Sequence, residues 1–176
     1  MTLTVREFWA VAHGMVLGAA FLLAFAGGLA GLYSLRGEWI TPEGIKDRLF
    51  RLKLGTTIMA VVAWLTVLSG TYIVYPWYRA VPPEGADLSQ YPRYFLLDNP
   101  SLSAWHTFGM EWKEHIAWFS PILAVVVAYL VIKYGSTLAS DARMRNMITV
   151  LFILAFATAG IAGLFGALIT KAAPIQ

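Results

Sequence analysis

Residues 147–170 read MITVLFILAFATAGIAGLFGALIT, twenty-four consecutive positions without an Asp, Glu, Lys or Arg. A helix of roughly 20 apolar residues covers a hydrocarbon core about 30 Å thick, so this stretch is long enough to cross a bilayer. It is apolar around its whole circumference, whereas a soluble helix keeps a polar face. Three further runs, 11–35, 58–75 and 116–132, are equally free of those four residue types. A chain of 176 residues has too little interior to hide four such helices from water. The fold class expected is therefore all-α, an integral membrane bundle of four transmembrane helices forming one domain over 1–176, with spans at about 8–35, 53–75, 113–134 and 147–170.

Composition agrees: 59% of the chain is hydrophobic and 13% charged, against roughly a quarter charged in soluble domains. Cysteine is absent, which excludes disulfides, thiolate metal sites, iron–sulfur clusters and covalently attached c-type haem. The first apolar stretch is too long for a signal peptide and lacks a cationic leader, so it is expected to be retained. The net charge of +3 belongs to loops at a membrane surface. Nothing in the sequence resembles a basic, aromatic-interleaved nucleic-acid module, and no nucleic-acid partner is expected.

Punctuation places the helix ends. Arg36 and Glu38 stand in a polar loop, and Thr41-Pro42-Glu43 supplies an N-cap, a first-turn proline and a first-turn acid, so the second helix should start near Pro42. Its first turns mix Lys46, Arg48, Arg51 and Lys53 with Leu49, Phe50, Leu52 and Leu54, as suits a headgroup layer. Pro76 should end it. Residues 77–112, rich in proline, aromatics and acids, read as a binding loop or a cap over the bundle. Asn99-Pro100 should start the third helix, with Gly109 a possible bend and Pro121 a kink. The loops at 36–53 and 133–145 hold eight Lys or Arg, and the opposite side holds five. The positive-inside rule then puts both termini outside (N-out/C-out) and makes 77–112 an extracytoplasmic cap between helices 2 and 3.

The three histidines, His13, His106 and His115, all fall toward that outer end. Histidine in a membrane span is costly and marks a functional candidate. His13 on the first helix and His115 on the third are placed to be the two axial ligands of one b-type haem, whose apolar macrocycle belongs between helices. Below His13 one face of the helix reads Leu17, Ala20, Ala24, Gly27, Gly28, Gly31, small enough to admit a flat ring. The same stripe also suits plain helix packing, as does Ala155, Ala159, Gly163, Ala167 in the fourth span. Glu111, one turn before His115, is a candidate to orient its imidazole by accepting the second N–H. His106 lies nine residues from His115 and so faces the opposite side of an unbroken helix. It reads as an interfacial surface histidine, or as an alternative ligand. Lys113, Arg79 and Arg6 are candidates to pair with haem propionates, or are simple interfacial anchors. Trp9, Trp77, Trp105, Trp112, Trp118, Tyr75 and Tyr78 make an aromatic belt at the same end. A metal ion held by His13, Glu111 and His115 is the alternative use of these atoms.

In outline, the four spans and the two helix-borne histidines resemble the four-helix b-type cytochromes of membranes, such as cytochrome b561-like proteins and the haem-bearing anchors of respiratory dehydrogenases. The pattern departs from the two-haem members in having no histidine at the inner end. The resemblance implies one haem b near the outer face of a multi-pass protein of a prokaryotic cytoplasmic (inner) membrane. It also implies electron exchange with a membrane quinol or quinone, an extracytoplasmic redox protein or other membrane subunits. One haem at one face does not carry an electron across roughly 30 Å of lipid, so the exchange expected is local. The competing reading is a cofactor-free structural or assembly subunit of a larger membrane complex. Transport ranks low, because the apolar runs hold no acid or base.

Overall fold

The computed structural model describes residues 2–36 and 41–173; Glu38 lies outside the described residues. Among them there is no strand, and four helices are long and apolar enough to cross a membrane: α1 Val5–Ser34, α2 Pro42–Tyr78, α4 Trp105–Thr137 and α5 Ala142–Ala172. A short helix, α3 Pro92–Asp98, lies between α2 and α4. Large apolar side chains stand exposed along all four long helices, including Leu23, Val61, Ile122 and Leu154. In water such a surface would drive association; against lipid tails it is an ordinary surface. The chain is thus all-α and has the outward face of a multi-pass membrane protein.

Each long helix starts on a legible cap except α4. Thr4 and Glu7 form a reciprocal capping box that starts α1 at Val5, a few residues before the expected Phe8. The Thr41 hydroxyl accepts from Gly44 N at 3.2 Å, which confirms the start of α2 at Pro42. Asp141 accepts from Met144 N at 2.9 Å and starts α5 at Ala142, ahead of the apolar run. Asn99 does act as a cap, its side chain accepting from Ser101 N at 3.0 Å, but what it caps is a turn, and α4 begins only at Trp105.

Prolines act as physics requires, with one correction. Pro121 has no N–H for the Ala117 carbonyl one turn back, and α4 is interrupted at 117–118, the expected kink. Pro76 does not end α2. Residues Gly70–Val74 just before it form a π-helical turn, and the helix continues to Tyr78. A local π turn is a known way for a membrane helix to absorb a proline. Two further π-helical segments occur, Ala12–Val16 in α1 and Trp105–Met110 in α4. Gly109 therefore sits in a widened turn, and the helix does not break there.

By compactness the described chain divides into two units. The first holds residues 1–18, 65–118 and 159–176, and the second holds 19–64 and 119–158. In the second, Gly28 and Gly31 are close-approach points: a Cβ at Gly28 would lie 2.5 Å from Phe152 Cζ, and one at Gly31 3.2 Å from Leu52 Cδ1. Phe25 stacks on Phe156 at 4.0 Å between centroids, and Phe152 and Leu52 are fully buried. Arg145 Nη1 donates to the carbonyls of Leu35 at 3.0 Å and Leu138 at 2.7 Å, and Arg48 donates to Ser34 O at 2.7 Å. These cations meet orphan carbonyls just past the ends of α1 and α4 and at the last residue of α1, where the helix dipole is negative.

In the first unit, Leu96 of α3 is buried with Tyr78, Met110, Ile169 and Ala173, so the connection after α2 packs on the ends of α2, α4 and α5. Arg6 donates to Gln90 O at 3.4 Å. Gly85 at φ 76 turns the chain in this connection.

Candidate functional site

All three histidines belong to the first unit, together with Glu111, Lys113 and Arg79. His13 sits on the π segment of α1, and its ring lies on the π segment of α2, where a Cβ at Gly70 would come 2.7 Å from Cε1. Only glycine leaves room for that ring. His13 Nδ1 is 3.1 Å from Ser69 Oγ, and that hydroxyl donates its one proton to Thr66 O at 3.1 Å. Ser69 must then accept, so Nδ1 carries the imidazole proton and the lone pair is on Nε2.

His115 is exposed, and its Nδ1 lies 2.7 Å from the backbone carbonyl of Glu111. The acceptor expected was the Glu111 carboxylate; the structure uses the main chain, because the carbonyl four residues back in a helix is within reach of the ring while the carboxylate is free to turn elsewhere. A carbonyl only accepts, so His115 likewise carries a proton on Nδ1. Among the described residues no three His, Asp or Glu side chains gather as a metal-holding group. The His13, Glu111 and His115 ion site is therefore not assembled.

His106 corrects the sequence reading most. It is 5% exposed, where an interfacial surface ring was expected. Tyr78 Oη is 2.9 Å from its Nδ1, and Arg93 Nε donates to its Nε2 at 3.3 Å. A guanidinium only donates, so Nε2 accepts, and in the neutral ring Nδ1–H donates to Tyr78. Both ring nitrogens are thus engaged by protein, and His106 offers no nitrogen to a metal in this arrangement. Tyr78 and Arg93 were missed as site residues because each meets His106 through the fold, from helices 28 and 13 residues away along the chain.

Around this core lie groups that the packing leaves unusual. Tyr75 Oη and Glu114 Oε1 are buried, and phenol and carboxylate interact with one another. Lys113 turns toward α5, its Nζ 3.4 Å from where a Gly166 Cβ would stand, and it feels the charge of Glu114. Arg79 rests over the Tyr75 ring at 5.3 Å. The small-residue stripe divides. Gly28 and Gly31 are filled by Phe152 and Leu52, which is helix packing, while Gly27 has nothing within 4 Å of a Cβ position. Ala20, Ala24 and Gly27 belong to the second unit, apart from the histidines.

No family model, curated protein or solved structure matches this chain. Each of the three π-helical segments carries a histidine or receives one, and π turns are frequent at functional sites because they re-aim side chains out of the α-helical phase. The arrangement provides two imidazoles held by Nδ1, one imidazole locked in a Tyr–His–Arg chain, and a buried phenol beside a carboxylate.

Proposed function

We propose that this protein is a membrane b-type cytochrome holding one haem b between His13 and His115. The observation that carries the reading is the anchoring of the two rings: each is held through Nδ1, the arrangement in which the other ring nitrogen, Nε2, would serve as the ligand to iron. The donor set therefore fits the group. Haem bound there would supply one-electron exchange with a membrane quinol or an extracytoplasmic redox partner.

The chain's own contributions are positional. Ser69 and Gly70 fix the plane of His13, and the Glu111 carbonyl fixes that of His115. Lys113 and Arg79 supply cations for propionates, and His106 keeps a supporting role through Tyr78. In this reading both termini are extracytoplasmic, the connection at 77–112 covers the outer end, and the protein resides in a prokaryotic cytoplasmic membrane.

The test is a reduced-minus-oxidised visible spectrum with a haem count on the detergent-purified protein. Near-stoichiometric haem b is expected in the parent and in His106→Ala, with loss in His13→Ala and in His115→Ala. Retention in both of the last pair would sink the assignment. The filling of Gly28 and Gly31 by Phe152 and Leu52 favours a second reading, a cofactor-free subunit of a larger membrane complex, for which the same preparation is colourless.

A further inference from the structure

We infer that the basic end of the second unit is a docking surface for anionic phospholipid, with Lys46, Lys133 and Arg143 receiving the headgroup phosphate and Phe50, Tyr129 and Met147 meeting the acyl chains below it. The inference is independent of the redox reading.

The first observation is an imbalance of charge. Residues 36–53 and 133–145 hold eight Lys or Arg against four Asp or Glu, whereas the rest of the chain holds five against six. Both segments belong to the second unit. Contacts bring them to one level. A Cβ at Gly135 would lie 3.3 Å from both Leu49 Cδ2 and Lys53 Cε, which sets the first turns of α2 beside the last turn of α4. The carbonyls of Ser34 and Leu35 that receive Arg48 and Arg145 set α2 and α5 beside the end of α1.

The second observation is how these cations are used. Arg48 and Arg145 turn to backbone carbonyls, but the side chains of Lys46, Lys133 and Arg143 stand exposed. Lys133 Nζ donates to Tyr129 Oη at 3.0 Å and lies over the rings of Tyr129 and Tyr134 at 5.4 and 5.2 Å, which holds the ammonium at the edge of the apolar run 116–132. An ammonium has three N–H donors, so it keeps one for a phosphate oxygen. Arg51 pairs with Asp47 at 2.9 Å in an exposed ion pair. Such a pair contributes little and yields to a better anion.

The third observation is the order of cation and apolar side chain. Lys46 and Phe50 on α2, Arg143 and Met147 on α5, and Tyr129 and Lys133 on α4 are each four residues apart, one helical turn on one face. Phe50, Tyr129 and Met147 are all exposed. Helices α2 and α5 run from this end into the membrane and α4 runs out of it, so on all three the apolar side chain lies on the bilayer side of its cation. That is the order of acyl chain and phosphate in a phospholipid. An acidic soluble protein would meet the cations and leave the apolar side chains unused. Basic segments beside a bilayer attract anionic lipid in this way.

The test uses the full chain in phosphatidylcholine vesicles with a trace of spin-labelled phosphatidylglycerol or spin-labelled phosphatidylcholine, reading by electron paramagnetic resonance the fraction of each held at the protein surface. The parent should prefer the anionic label by about fivefold or more, and Lys46→Gln, Lys133→Gln and Arg143→Gln combined should bring that below about twofold. On the parent itself, about 1 M sodium chloride should abolish the preference by screening, a measurement that needs no variant to fold. No preference in the parent, or a preference that survives either the triple substitution or the salt, overturns the inference. Loss of the preference to millimolar inorganic phosphate at matched ionic strength also overturns it, because the cations would then be serving a free phosphate ion.

Discussion

The two compact units of this chain use the same four helices in opposite ways. The unit of residues 19–64 and 119–158 is regular α-helix packed glycine against aromatic, with Arg48 and Arg145 spent on carbonyls at helix ends. The unit of residues 1–18, 65–118 and 159–176 contains every π-helical segment among the described residues and all three histidines. Lipid-soluble helices lose nothing by packing tightly, so departures from regularity are informative. One unit satisfies its backbone and closes. The other spends regular helix geometry to aim side chains, which natural proteins do at sites rather than in scaffolds.

The sharpest way to break this comparison is Arg145→Ala. It removes a guanidinium from the carbonyls of Leu35 and Leu138, both on residues that are themselves fully buried. Unfolding in detergent should show a loss of about 2–4 kcal/mol, because carbonyls that had a charged donor are left bare. A loss below about 0.5 kcal/mol, the scale of an ordinary surface change, would mean that these cations do not hold the unit together.

Next in size is Gly28→Val. Its Cβ would press on the Phe152 ring, which is fully buried and has no room to retreat, so a stability loss of about 1–3 kcal/mol is expected. Gly27→Ala, one residue away with nothing within 4 Å, is the control and should stay within about 0.5 kcal/mol of the parent. Equal melting of the two variants would refute glycine–aromatic packing as the organising contact.

The smallest stability effect, and the one that separates the units most cleanly, is Gly70→Ala. There the clash is with His13, a ring that can swing away at the expense of its bond to Ser69. The expected loss is only about 0.5–1.5 kcal/mol, and it should vanish when His13→Ala is made in the same chain. Persistence of the loss in the double variant would show that Gly70 serves the helix and not the histidine.

Much of this was readable beforehand from particular residues. The caps at Thr41 and the kink at Pro121 follow from chemistry within one turn of chain. Thr4-Val5-Arg6-Glu7 and Asp141 were equally local signals, and α1 and α5 begin where they stand rather than where the apolar runs begin. Pro76 misled because a proline's missing N–H ends a helix only if the preceding turn stays α-helical, and Gly70–Val74 does not. The candidate site was half legible. His13 and His115 could be singled out as costly residues at membrane depth, whereas the burial of His106 required α3, a helix that gave no apolar run of its own.

What the sequence by itself determined is the solvent. Four long runs without charge commit the backbone to helices, because in lipid every N–H and C=O must be paired within its own segment. That requirement is local, and a linear reading sees it. Which nitrogen of each histidine carries the proton, which glycine receives a ring, and which tyrosine and arginine enclose His106 were decided only by the tertiary structure. Those properties depend on partners tens of residues apart, His13 with Ser69, Tyr78 with His106, Arg93 with His106, whose meeting is set by helix phase and packing and leaves no periodic mark in the chain.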